Sequence, residues 1–95
     1  MQRIALGVEY DGSGFAGWQA QPGLRTIAGE LARAVGVVAD HPVGIACGGR
    51  TDAGVHAEGQ VVHFDAHALR SLRAWLLGIN SNLPADVSLR WARPV

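Results

Sequence analysis

The spacing of apolar residues orders this chain as strand, helix, strand, strand, helix, strand, and that order restricts its fold more than any other feature. Residues 3–10 alternate: Ile4, Leu6, Val8 and Tyr10 share one face, Arg3, Ala5, Gly7 and Glu9 the other. The small residues of the second face leave room for another layer or a ligand to approach. Ile27, Leu31, Ala34, Val35 and Val38 then recur at helical spacing and predict a helix over 26–39. Thr26 suits its N-cap, and Asp40-His41-Pro42 its stop. Apolar runs at 43–47 and 60–65 predict two strands. Leu69, Leu72, Leu76 and Ile79 form the stripe of a second helix over 68–80, with Trp75 at its border as a core residue. A turn at 80–84 leads to a last strand over 87–93, with Val87, Leu89 and Trp91 on one face.

This order predicts an α+β fold: a ferredoxin-like βαββαβ sandwich, with a four-stranded antiparallel sheet and two helices on one face. Its other sheet face is left bare, and RNA-binding modules use such a face. Ninety-five residues make one small domain, and an apolar share of 48% suffices for a core. Eight basic residues cancel eight acidic ones, so the chain carries no strong electrostatic footprint for nucleic acid. All eight basic residues are arginine, which fits compositional bias first and bidentate phosphate contacts second. The lone Cys47 excludes an internal disulfide and a cysteine-rich zinc site, and its apolar neighbours predict a small core residue. Neither a secretion signal nor a membrane-spanning stretch is recognisable, so a cytoplasmic protein without membrane contact is expected.

Between the two middle strands stands Gly48-Gly49-Arg50-Thr51-Asp52-Ala53-Gly54-Val55-His56-Ala57. Its glycines permit sharp turns and close ligand approach. A carboxylate two residues after a guanidinium makes Asp52 a candidate reactive group. By residue type alone, a loop Asp more often caps or bridges its own loop. Arg50 beside it would keep Asp52 ionised, as a nucleophile requires, or would form an exposed ion pair of little worth. His63 and His67 straddle a strand end and a helix start, and His56 shares a loop with Asp52. No cluster offers three convergent ligands, so no metal is expected, and His56 is assigned to holding the loop by hydrogen bonds. The serines and Cys47 lack a nucleophile-elbow context. The glycine-rich stretch 11–23 matches neither a dinucleotide fingerprint nor a P-loop. Its Phe15 and Trp18 are expected to pin it to the core, the alternative being a stacking surface for bases.

Gly49-Arg50-Thr51-Asp52-Ala53-Gly54-Val55-His56 resembles the signature of the bacterial tRNA pseudouridine synthases of the TruA type. Four further stretches resemble that family in the same order: Glu9-Tyr10-Asp11-Gly12-Ser13, Gly17-Trp18-Gln19-Ala20-Gln21, Gly59-Gln60-Val61-Val62-His63-Phe64 and Leu77-Gly78-Ile79-Asn80-Ser81-Asn82-Leu83-Pro84. Thr26-Ile27-Ala28-Gly29 stands where the family has a polar, Gln-containing helix start. The resemblance implies isomerisation of uridine to pseudouridine in the anticodon stem-loop of tRNA, without cofactor or metal. It implies that Asp52 is catalytic, as nucleophile or as base at the sugar, and that the target base is flipped into a cleft. Arg50 would order Asp52 and fill the gap left by that base, with Thr51 and His56 beside the RNA. Members of the family are longer and carry a second similar half, so residues 1–95 are expected to be an amino-terminal, Asp-bearing half. Partners implied are tRNA and a second copy in a homodimer, and a strand edge left open without the other half predicts self-association. A non-catalytic RNA-binding module and a dimerising module remain the alternatives.

Overall fold

The computed structural model describes residues 1–19, 21–47 and 60–95. Along the chain these form β1 (Gln2–Tyr10), a 3-10 turn (Gly12–Gly14), α1 (Ile27–Ala39), β2 (Ala46–Cys47), β3 (Gln60–Ala66), α2 (Leu72–Asn82) and β4 (Val87–Pro94). β1 is central and antiparallel to both long neighbours, running from Gln2↔Ala66 to Val8↔Gln60 against β3 and from Ile4↔Pro94 to Tyr10↔Val87 against β4. The two residues of β2 extend the outer edge of β3 through Ala46↔His63 and Cys47↔Val62, for an order β2-β3-β1-β4. The fold is α+β, with two helices and an antiparallel sheet whose body is three long strands.

The alternation of β1 is realised as expected. Ile4, Leu6 and Val8 are buried with Val62, Phe64, Val87 and Leu89 of the neighbouring strands. Ile27, Leu31, Ala34 and Val35 of α1 and Trp75 and Ile79 of α2 join them in one core cluster. Each buried Val, Leu, Ile or Phe among them contributes about 1.5–3 kcal/mol on leaving water. Trp75 is the largest of them. It meets Phe64 edge-on at 5.0 Å between ring centroids, and its indole N–H donates to Gln2 Oε1 at 2.9 Å.

Three expectations need correction. The strand expected over 43–47 pairs only at Ala46 and Cys47. Pro42 offers no N–H and Gly44 has little strand preference, so the chain leaving α1 packs Val43 and Ile45 against the core without joining the ladder. The second helix starts at Leu72 rather than near 68, because Ser71 caps it and accepts a hydrogen bond from Ala74 N–H at 3.0 Å. Leu69 therefore falls outside the helix and is 73% exposed instead of lining its stripe. Trp91 does not share a face with Val87 and Leu89. The β1–β4 register shifts so that Gly7 faces Trp91 while Val8 faces Leu89, which leaves Arg90 as an extra residue in a bulge.

That bulge turns Trp91 onto the sheet face away from the helices. Its indole lies directly on Gly7, in the space where a Cβ would stand. Gly7 is thus a packing requirement of the bare face. Gly7→Val is expected to push the ring off the sheet and cost about 1–3 kcal/mol, as overpacking does. A lowered urea midpoint with red-shifted tryptophan emission would show it. An unchanged midpoint would mean that the ring has somewhere else to go.

Candidate functional site

Arg50, Thr51, Asp52 and His56 lie outside the described residues, within segment 48–59. The strands that hold this segment are described. It joins Cys47 of β2 to Gln60 of β3, neighbouring antiparallel strands, at the end of the sheet where β1 ends and β4 begins. Gln60 pairs with Val8 there and is buried. The second glycine-rich stretch, 11–25, leaves β1 from this same end. The topology therefore anchors the two most glycine-rich connections of the chain side by side. The expectation that Cys47 is a core residue concerns a side chain outside the description.

Stretch 11–25 is fastened at several points. Asp11 Oδ1 accepts from Ser13 N–H at 3.0 Å, and Asp11 N–H donates to Asp86 O at 2.9 Å. The Arg25 guanidinium grips both carboxylate oxygens of Asp86, at 3.1 and 3.0 Å. It also donates to Gly14 O at 3.1 Å and lies 4.0 Å over the Phe15 ring. Trp18 leans on Tyr10 at 5.7 Å between centroids. Phe15 and Trp18 are half-buried against the core, so they pin the stretch as expected. The same stretch supplies the start of α1. Ile27 N–H donates to Gly17 O at 3.2 Å and Ala28 N–H to Trp18 O at 2.8 Å. Gly29 N–H donates to Thr26 Oγ1 at 3.2 Å. The substituted helix start Thr26-Ile27-Ala28-Gly29 thus still caps the helix, through a hydroxyl and two loop carbonyls.

Three exposed carboxylates are held in the charged form, Asp86 and Asp11 at this end of the sheet and Asp65 at the opposite end. The Asp86 carboxyl is held below the ordinary carboxylate range chiefly by its hydrogen bonds from Arg25. Asp65 is lowered by hydrogen bonds from Arg3 at 2.7 and 3.0 Å, and Asp11 chiefly by the Ser13 backbone N–H. The sign follows from linkage. Each group has a lower pKa folded than unfolded, so the unfolded chain binds more protons. Its contribution is complete above the ordinary carboxylate pKa and disappears as pH falls through the lowered folded value. Urea midpoints are therefore expected to fall from pH 5 towards pH 3. Asp86→Asn should flatten that fall; an equal slope in the variant would remove Asp86 from the explanation.

Elsewhere, the described histidines His41, His63 and His67 do not converge as ligands. His63 sits on the bare sheet face in register with Ala5, whereas the His67 ring stands 5.5 Å from His41. His67 N–H donates to His41 Nε2 at 3.2 Å. Among the described residues no three His, Cys, Asp or Glu side chains are grouped to hold a metal. No helix among them is long and apolar enough to cross a membrane. The Arg25–Asp86 clamp was not anticipated from the sequence. Its partners stand 61 positions apart, and only the fold brings them together.

No family model matches the chain, but curated proteins do. The tRNA pseudouridine synthase A of Aeromonas salmonicida (strain A449) is 59% identical over 93 residues, covering 98% of this chain and 35% of that protein. The protein of the same name from Shewanella sp. (strain W3-18-1) is 57% identical over 93 residues, covering 98% and 36%. That of Coxiella burnetii (strain Dugway 5J108-111) is 58% identical over 95 residues, covering 100% and 36%. The chain spans about a third of the length of these curated relatives.

Proposed function

We propose that this chain, a homologue of the tRNA pseudouridine synthase A proteins over its whole length, is the Asp-bearing, amino-terminal part of an enzyme that isomerises uridine to pseudouridine in tRNA. The observation that carries the reading is the identity of 57–59% across 98–100% of the chain. The strand order β2-β3-β1-β4 and the single core supported by both helices favour a ferredoxin-like sandwich forming one domain over residues 1–95. The anchoring of segment 48–59 beside stretch 11–25 supports a reaction centre at that end of the sheet.

In this reading the target uridine of the anticodon stem-loop leaves its stack, since its glycosidic bond is inaccessible within it. The Asp52 carboxylate enables cleavage of the bond between N1 of uracil and C1′ of ribose. The detached uracil turns, C5 bonds to C1′, and the C5 proton is lost to water while N1 regains one. No net redox change occurs, so no cofactor or metal is required. Arg50 pairs with Asp52 to keep it ionised and fills the space left by the flipped base. Thr51 and His56 border the RNA. The working assembly is a homodimer in the cytoplasm.

The test is nucleoside chromatography of tRNA incubated with the protein, in the full-length context of its relatives. Pseudouridine should accumulate at the expense of uridine. Firm tRNA binding with uridine unchanged would instead favour a non-catalytic RNA-binding module.

A further inference from the structure

The sheet face away from the helices has a low centre and raised sides. At its centre β1 presents the small residues Ala5 and Gly7, between Arg3 and Glu9, while β3 presents Val61 and His63 and β4 presents Trp91 and Arg93, in register with Ala5 and Gly7. The Trp91 ring fills the space over Gly7. Beside it remains a recess of about 350 Å³ lined by Arg3, Ala5, Val61, His63 and Val95, a volume in the range of small-ligand sites. Val61 is 44% exposed within it.

Charge on this face is uneven. Arg3 is held by Asp65 at 2.7 Å and Arg90 by Glu9 at 3.2 Å. Arg93 is different. Its guanidinium lies 4.7 Å from the centre of the Trp91 ring, and among the described residues no carboxylate pairs with it. An exposed, uncompensated guanidinium steadied on an indole, next to an apolar floor and an imidazole, suits a planar apolar ring joined to an anion. A stacked base with its phosphate has that chemistry.

We propose that this recess binds one unstacked nucleotide of single-stranded RNA, with the base over Ala5 and Val61 beside His63 and the phosphate on Arg93. The inference rests on the proposed RNA substrate and assigns a contact to it outside the Asp52 segment. Charge complementarity favours RNA over a second copy of the chain, which would have to leave Arg93 uncompensated or supply an acid to it.

The experiment is titration of the ¹⁵N-labelled chain with a short oligouridylate. Amide shifts are expected at Ala5, Gly7, Val61, His63 and Arg93. Arg93→Gln should weaken binding about tenfold, in line with loss of one stacked cation–phosphate contact. It should also reduce the slope of log affinity against log salt by about 0.7, the value for one phosphate contact on a single strand. Val61→Glu should weaken binding comparably, while Arg73→Gln, on the exposed side of α2, should leave it unchanged. Unaltered variant spectra would show that the fold is intact. No binding, shifts confined to other surfaces, or an Arg93→Gln variant with wild-type affinity and salt slope would each overturn the proposal. Shifts of these amides with protein concentration and without RNA would also overturn it, in favour of contact between copies. Pseudouridine formation with a silent recess would sink this inference and spare the proposed function. An RNA-binding recess without pseudouridine formation would do the reverse.

Discussion

Trp75→Ala is expected to remove a large share of the stability of this chain, about 3–5 kcal/mol. The side chain has no solvent exposure. It links α2 to β3 through its edge contact with Phe64 and to β1 through its bond to Gln2. Truncation would leave a cavity beneath three elements and strip the indole donor from Gln2. Domains of this size have about 5–15 kcal/mol in all. The variant should therefore be partly unfolded in mild urea, with a far lower midpoint. Trp75→Phe separates the terms: it keeps most of the apolar volume, loses the hydrogen bond, and should cost about 1–2 kcal/mol. A Trp75→Ala midpoint within the error of wild type would mean that the core closes around the loss, contrary to the packing described.

Asp52→Asn is the other large effect. On the proposed function the carboxylate acts directly at the sugar or base, and an amide of the same size cannot. Turnover should fall at least about a hundredfold, the lower end for loss of a positioned acid–base or nucleophilic group. Stability and tRNA affinity should change little, because the substitution preserves shape. Equal loss of affinity and turnover would instead give Asp52 a binding role.

Much of the fold was legible in local pattern. The alternation of β1 and the stripe of α1 placed Ile4, Leu6, Val8, Leu31 and Val35 in the core, where they are. Thr26 and Asp40 marked the ends of α1 correctly, Asp40 by adopting a left-handed conformation at φ 62°. The failures arose where one local signal hid another, or where distant residues decided. Leu69 extended an apolar spacing past Ser71, whose cap set the true start of α2. Trp91 obeyed the alternation of its own strand until the bulge at Arg90, which depends on its pairing with β1. The Gly7–Trp91 contact and the Arg25–Asp86 clamp join residues far apart in the chain. For Asp52, residue chemistry alone favoured a loop cap; the catalytic reading came from the resemblance of its whole motif.

On the proposed function, this chain supplies the reactive carboxylate of a pseudouridine synthase. That role is tested most directly by placing the chain in a full-length relative, in exchange for the matching third, and assaying tRNA whose uridines carry tritium at C5. Pseudouridine formation replaces that hydrogen, so release to water reports the reaction. Release by the chimera is expected, with a loss of at least about a hundredfold in the Asp52→Asn chimera. Equal release by both chimeras, or none from a folded chimera that binds tRNA, would contradict it.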